Sequence, residues 1–363
     1  MPKKPLLLSI APVSGALLLV LLVGGCRSND SHVRESRQAS AVPLLPQTKV
    51  RVEARTADVH LVPSPDDTLR IVTYRRVQSM SERSTEALDN QIRVTMERAG
   101  DELILRVREP ERGRSRVTVS AGPWRLRRSV EIELTVAVPA RATVHVEIER
   151  GDIEARDLTQ AVTLKTTTGD MDLASLSGEV RCESTSGDIV IKQVRAPVTV
   201  RVTSGDVDAD EIDSPLTVRA TSGDVKATRV RGTVRIETST GDVEVNEASG
   251  TVTVWTSSGD ATLDARPDTL SAQTASGDIE ARASGTPRYV LLKSSSGTVG
   301  LELPPNVGGN LDLQTATGAM SVTSAIDVKS MSRNRLTGSL GGTGTVEVRT
   351  SSGDISLSVA GAE

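Results

Sequence analysis

The sequence predicts an all-β fold: a single-stranded β-solenoid, or β-helix, of 18-residue coils, with a short helix capping its N-terminal end. Three observations carry that prediction. Gly169, Gly187, Gly205, Gly223, Gly241, Gly259 and Gly277 follow one another at 18-residue intervals, each preceded by Ser or Thr and followed by aspartate, and Gly151 opens the series. Counted from each glycine, the positions seven and five before it are apolar, as in Val180 and Cys182, Val198 and Val200, Leu216 and Val218, and so are those two and four after it, as in Ile189 and Ile191. Aromatic residues are confined to Trp124, Trp255, Tyr74 and Tyr289, with no Phe, so the core must be narrow and filled by Val, Ile, Leu, Ala and Thr. Stacking like residues on like lets each coil pair with its neighbours about 4.8 Å away, while no coil is stable alone.

Residues 1–26 read as a targeting segment. Lys3 and Lys4 precede an apolar stretch from Leu6 to Val23, and Val23-Gly24-Gly25-Cys26 closes it with small residues before a cysteine. This resembles a bacterial lipoprotein signal, which implies that Cys26 is acylated and becomes the mature N-terminus. Arg27, rather than aspartate, follows it, and the resemblance then implies an outer-membrane destination in a Gram-negative source. Cys182 has no disulfide partner within the chain once Cys26 is acylated, and its apolar repeat position predicts a buried, inert thiol. Residues 27–47 are polar, end in Pro43 and Pro46, and read as a flexible tether.

Residues 48–150 are expected to form N-terminal β coils. Alternation at Val50, Val52 and Ala54, at Val59 and Leu61, and at Leu69, Ile71 and Thr73 predicts half-buried strands. Ser81 to Asn90 is the helical stretch, with Ser81 or Ser84 as N-cap and Ala87 and Leu88 as apolar contacts, placed over the open end of the stack. Strands resume at Ile92–Met96, Leu103–Val107, Val117–Val119 and Ile132–Val138, where Pro139 stops the ladder. Between Arg106 and Arg128, eight arginines and two glutamates give a local net charge of +6. Arg112, Arg114, Arg116, Arg125, Arg127 and Arg128 are either solvated hairpin residues or a contact for anionic envelope polymer or lipid headgroups.

The regular coils occupy residues 151–285. Four before each glycine stand Lys165, Glu183, Arg201, Arg219, Glu237, Trp255 and Gln273, an outward ladder of mostly opposite neighbours worth roughly 0.2 to 1 kcal/mol per favourable pair. Trp255, the one bulky aromatic at such a position, is the named candidate for a contact residue. Glycines nine after the first, at Gly178, Gly232 and Gly250, mark return turns. Over residues 286–363 the interval drifts, Pro304-Pro305 and Gly308-Gly309 enter as loops, and Ser352-Gly353-Asp354-Ile355 returns to the repeat as an irregular C-terminal cap.

The run Val130–Pro139, the Gly-Asp-Ile at Gly151, the chain of Ser/Thr-Gly-Asp units and the terminal Gly-Gly before a last Ser-Gly-Asp-Ile together resemble a bacterial β-strand-repeat family. That family is catalogued as adhesins, a domain of unknown function in envelope proteins, and the resemblance covers about residues 48–360. It implies adhesion, or partnership with an envelope-stress regulatory system, and supplies no catalytic residue.

The aspartates form a column: Asp170, Asp188, Asp206, Asp224, Asp242, Asp260 and Asp278, with Asp152 before them. Unit charges at coil spacing repel by about 0.9 kcal/mol per neighbouring pair even at the dielectric of water, so something must offset them. The structural reading is a turn in which Gly supplies positive φ and Asp accepts a local backbone hydrogen bond, as in Asx turns. Calcium threading the carboxylates is the alternative. Against it, the half-coil turns lack aspartate, and Thr298 and Ala319 interrupt the column. A polysaccharide-active enzyme needs carboxylates gathered from different offsets, whereas these share one. With only His32, His60 and His145, a histidine-based metal site has little material. Arg150-Gly151-Asp152 spells an integrin tripeptide where the repeat itself demands Gly-Asp. The net charge of −4 gives no sign of a nucleic-acid partner. The expectation is a non-catalytic envelope lipoprotein, held to the membrane by its lipid, that binds an envelope protein or anionic polymer.

Overall fold

The computed structural model describes residues 19–23, 32–45, 47–79, 81–109, 129–305, 307, 309–323, 326–340 and 343–359. The chain divides into two compact units, Met1–Gln160 and Ala161–Glu363. Apart from one helix, the regular structure of the described residues is β-strand.

In the first unit, β1 (Leu19–Val23), β2 (His32–Pro43), β3 (Lys49–Thr56), β4 (Asp58–Pro63) and β5 (Thr68–Ser79) lead into α1 (Glu82–Asp89). Then come β6 (Arg93–Ala99), β7 (Glu102–Arg108), β8 (Ser129–Val138), β9 (Thr143–Arg150) and β10 (Ile153–Arg156). β3 runs parallel between β7 and β9, and β4 parallel between β8 and β10. The coil formed first in the chain therefore lies between two that follow it. The alternating residues Val50, Val52, Val59, Leu61, Leu105, Leu134 and Val146 are buried between the two layers. β6 covers β7 antiparallel, while β5 and β2 extend the other layer antiparallel from β8; β1, which pairs with β2, lies inside residues 1–26, expected above to be a targeting segment, and belongs to the uncleaved chain alone.

Two expectations are corrected here. Residues 32–43 are not a tether: β2 pairs with β5 along its whole length, from His32 opposite Ser79 to Pro43 opposite Thr68. The apolar alternation that signals a strand is missing because the inner face of β2 meets α1 through polar groups. Asp89, buried on the helix, takes Arg34 Nε at 3.1 Å, Arg75 Nη1 at 3.6 Å and the Ser36 hydroxyl at 3.4 Å. A carboxylate out of water needs such partners, and two cations plus a hydroxyl supply them. The helix itself lies where expected, with Ser81 as N-cap accepting from the Ser84 amide at 3.2 Å. Its buried residues are Thr85 and Asp89, however, while Ala87 is exposed and Leu88 half-buried. The expected strand Val117–Val119, the six arginines from Arg112 to Arg128, Trp124 and Cys26 lie outside the described residues.

In the second unit the coils alternate two strands. β11 (Val162–Thr168), β13 (Val180–Ser186), β15 (Val198–Ser204), β17 (Leu216–Ser222) and β19 (Val234–Thr240) form one parallel layer. β12 (Met171–Leu176), β14 (Ile189–Val194), β16 (Val207–Ile212) and β18 (Val225–Val230) form the other. β20 (Val243–Ser258) and β21 (Ala261–Ser276) each run through a half-coil of both layers. The register step is 18 residues, Val180 on Val198 on Leu216 on Val234. Each apolar column of the sequence is thereby a buried column, and Cys182 sits in one at 1 % exposure.

A left-handed kink within the second half of five successive coils escaped the sequence reading. Ser175, Gln193, Glu211, Arg229 and Glu247 all have φ between 52° and 58°, a column of left-handed non-glycine residues six after the corner glycine. One such residue breaks the strict alternation. Ala174 and Ser175 are consecutive half-buried residues, and Leu176 then returns to the core. The glycine marks at Gly232 and Gly250, with φ of 145° and 92°, come three residues later.

The C-terminal end departs from sequence order. β22 (Ile279–Ala283), β23 (Tyr289–Ser296) and β24 (Val299–Leu303) continue the stack. After them come β25 (Gly309–Thr317), β26 (Met320–Thr323), β27 (Asp327–Met331), β28 (Arg335–Ser339), β29 (Gly344–Ser352) and β30 (Ile355–Val359). The last pair, β29 and β30, fills the slot directly on β23 and β24, and β25 and β26 then stack on its far side. β28 and β27 close β25 as an antiparallel ribbon. The chain thus leaves a gap one coil wide and returns at its end to fill it.

Candidate functional site

The recurrent feature with chemical content is the column of corners. At each corner the backbones of successive coils touch: a Cβ on Gly187 would lie 2.1 Å from the carbonyl oxygen of Gly169, and the same 2.1 Å recurs at Gly205, Gly223, Gly241, Gly259 and Gly277. Their φ values, from 118° to 141°, are the second reason that only glycine fits. In the first unit the same contact joins Gly151 to Ala57, so Arg150-Gly151-Asp152 is a structural corner.

The aspartates do not make local turns. Asp170 Oδ1 accepts from the amide of Asp188 at 2.8 Å, Asp188 from Asp206 at 2.9 Å, and Asp206 from Asp224, Asp224 from Asp242, Asp242 from Asp260 and Asp260 from Asp278 at 2.8 Å each. Each carboxylate therefore holds the next coil rather than its own. An amide–carboxylate bond is worth about 1.5 kcal/mol even at the low end of its class, which exceeds the repulsion of about 0.9 kcal/mol between neighbours. Where the column lacks aspartate the donor survives: Thr298 N binds Asp278 and Ala319 N binds Asp354, both at 2.7 Å. Asp58 plays the same part toward Asp152 at 3.0 Å, a member that sequence spacing missed because Ala57 stands in the glycine's place.

In the later coils the hydroxylated residue three before the glycine also has a role. Ser294 and Thr350 donate to the corner carbonyls of Gly277 and Gly297 at 3.1 Å, and Thr315 to that of Gly353 at 3.0 Å. A corner carbonyl turned toward the core thereby gains a partner.

The outward ladder pairs in the expected register, with Glu183 and Arg201 at 3.8 Å and Arg219 and Glu237 at 3.3 Å, and on the other layer Lys226 and Glu244 pair at 2.9 Å across one coil step. Trp255 is half-buried: the Arg235 guanidinium lies 4.3 Å from its ring centroid, and Glu237 in turn binds Arg235. His60 bridges β10 and β8, with Nδ1 at 2.6 Å from Glu154 and Nε2 at 3.5 Å from Glu133. Nothing in the spacing of these residues announces that cluster, because it joins strands distant in sequence.

A metal does not fit the column. Each coil offers one carboxylate, one oxygen of which is already bonded to an amide, and among the described residues no group of three or more His, Cys, Asp or Glu is placed to hold an ion. Thermal melts with and without chelator should coincide. Asp224→Asn should stay within about 0.5 kcal/mol of the parent, since Asn keeps the Oδ1 acceptor and removes repulsion. A chelator-dependent midpoint overturns the assignment.

Several carboxylates are held below their ordinary range: Glu53 by its hydrogen bond to Arg106, Glu154 by that to His60, and Glu244 by that to Lys226. A depressed carboxyl stabilises the fold above the unfolded value of 4.5, and the gain is lost as pH falls toward the folded value. Stability measured by denaturant should decline below about pH 4.5, and Glu53→Gln should flatten part of that decline. Burial pushes the Cys182 thiol the other way, up to about 12, which with its position makes it inert.

Two-strand coils stacked in parallel, with glycine corners and hydrogen-bonded aspartates, define a β-solenoid repeat protein. The Toastrack DUF4097 family model matches residues 47–269 and 216–358, and the chain belongs to that family. No curated protein matches the chain. Similar solved structures include a "putative cell adhesion protein" from Clostridium sporogenes at 8 % identity and TM-score 0.25, covering 90 % of this chain and all of that one. Another is a "putative lipid binding protein" from Parabacteroides distasonis at 11 % identity and TM-score 0.34, covering 74 % of this chain and 96 % of that one. A third is a "putative adhesin" from Bacteroides fragilis at 12 % identity and TM-score 0.24, covering 92 % and 98 %. Among the described residues, no helix is long and apolar enough to cross a membrane.

Proposed function

We propose that this Toastrack protein is a non-catalytic, lipid-anchored component of the bacterial envelope that binds or scaffolds, in the manner of an adhesin, through the outward faces of its coils. One observation supports binding over catalysis. The aspartates, the one carboxylate array regular enough to suggest chemistry, each give an oxygen to the backbone of the next coil. They act as structure, and what the coils offer outward is a rigid ladder of paired charges with Trp255 set in it. The anchor is supported by the sequence Val23-Gly24-Gly25-Cys26, and the contact surfaces proposed are Trp255 and the arginine group Arg112, Arg114, Arg116, Arg125, Arg127 and Arg128.

Crosslinking in cells followed by pull-down tests the reading, comparing the parent chain with Trp255→Ala and with a chain in which those six arginines become glutamine. Loss of a captured component in either variant is the expected result. Identical capture from all three chains removes both contact sites. Incorporation of labelled fatty acid that persists in Cys26→Ala removes the proposed anchor.

A further inference from the structure

The C-terminal end of the second unit carries an apolar overhang that nothing among the described residues covers. β27 pairs with β28 and with no other strand among the described residues, and all five of its residues are exposed. Val328 lies opposite Gly338 and Met331 opposite Leu336, with the register shifted at Lys329. Residues paired across an antiparallel ribbon share a face. The shift therefore sets both Val328 and Met331 on the side where Leu336 enters the core at 5 % exposure, yet they are 46 % and 71 % exposed. Among the described residues only three large hydrophobic side chains are so exposed, and these are two of them.

We propose that β27 is a docking edge for a second copy of this chain, pairing antiparallel with the copy's β27 about a twofold axis at Val328. The charges choose that register. Centred on Val328, Asp327 of each copy faces Lys329 of the other, whereas centring on Lys329 sets two lysines opposite each other. The free backbone groups of both edges become paired, and Val328 meets its own counterpart.

Sedimentation of the full chain carrying Cys26→Ser is expected to show a monomer–dimer equilibrium. Asp327→Lys alone should weaken it by about tenfold or more, and the swap Asp327→Lys with Lys329→Asp should restore it to within about threefold. Val328→Cys should form a covalent dimer on oxidation much faster than the exposed control Ser351→Cys. A monomer at all concentrations overturns the proposal, as does a charge swap that fails to restore the dimer. Equal crosslinking at Val328 and Ser351 does so too, and so does a monomer that binds lipid vesicles through Met331.

Discussion

Gly223→Val is expected to cost about 4 kcal/mol or more and to leave the second unit largely unfolded at 37 °C, the tail of the distribution for single substitutions. Two effects add. The φ of 118° lies where a β-branched side chain is strained by roughly 1 to 3 kcal/mol. The new Cβ would also sit 2.1 Å from the Gly205 carbonyl oxygen, which cannot yield because it belongs to backbone in register with the coils on either side. Relief requires two coils to part, and parting breaks the bond from the Asp224 amide to Asp206 Oδ1 between them. Cys182 reports the result: buried in the parent, it should react with a thiol probe only after denaturant, and in Gly223→Val it should react at once. A native-like, protected Cys182 in that variant contradicts the corner assignment.

This cost shows what the sequence made legible. Period and residue type together specify the corner, because both glycine and the apolar columns recur at one interval, so coil length, layer composition and the fate of Cys182 follow from spacing alone. The bond made by the aspartate did not follow. A local turn and a bond to the next coil require the same residue in the same place, and only the distance from Asp188 N to Asp170 Oδ1 separates them. The left-handed kink at Ser175, Gln193, Glu211, Arg229 and Glu247 stayed hidden for the opposite reason, since that column is polar but keeps no one residue type and holds no glycine. β2 was hidden because its inward face is polar and is satisfied by Asp89 from a helix 53 residues away from Ser36. Trp255 was legible as an outward position but not as a residue already covered on one face by Arg235.

Gly353→Val separates sequence order from spatial order. Gly353 stands at φ 147°, with its Cβ position 2.1 Å from the Gly297 carbonyl, and Gly318 at φ 156°, with its own 2.0 Å from the Gly353 carbonyl. The local insult is therefore the same at the two sites. Their places differ. β29 and β30 are paired on both sides, with β23 and β24 below and β25 and β26 above, whereas the coil of Gly318 is outermost. Expelling the intercalated coil removes the support of everything stacked on it, including the β28–β27 ribbon; disturbing the outer coil leaves β29 and β30 still paired to β23 and β24. Gly353→Val should then be the more damaging by about 1 to 2 kcal/mol, and should open residues 309–339 to limited proteolysis and rapid amide exchange while Cys182 stays protected. A chain stacked in sequence order gives the reverse ranking, because Gly353 would be the terminal corner and its loss would fray a single interface. Equal or reversed ranking of the two variants in denaturant midpoint, with proteolysis confined to residues after 343, would show that the last coil lies at the end of the stack and not within it.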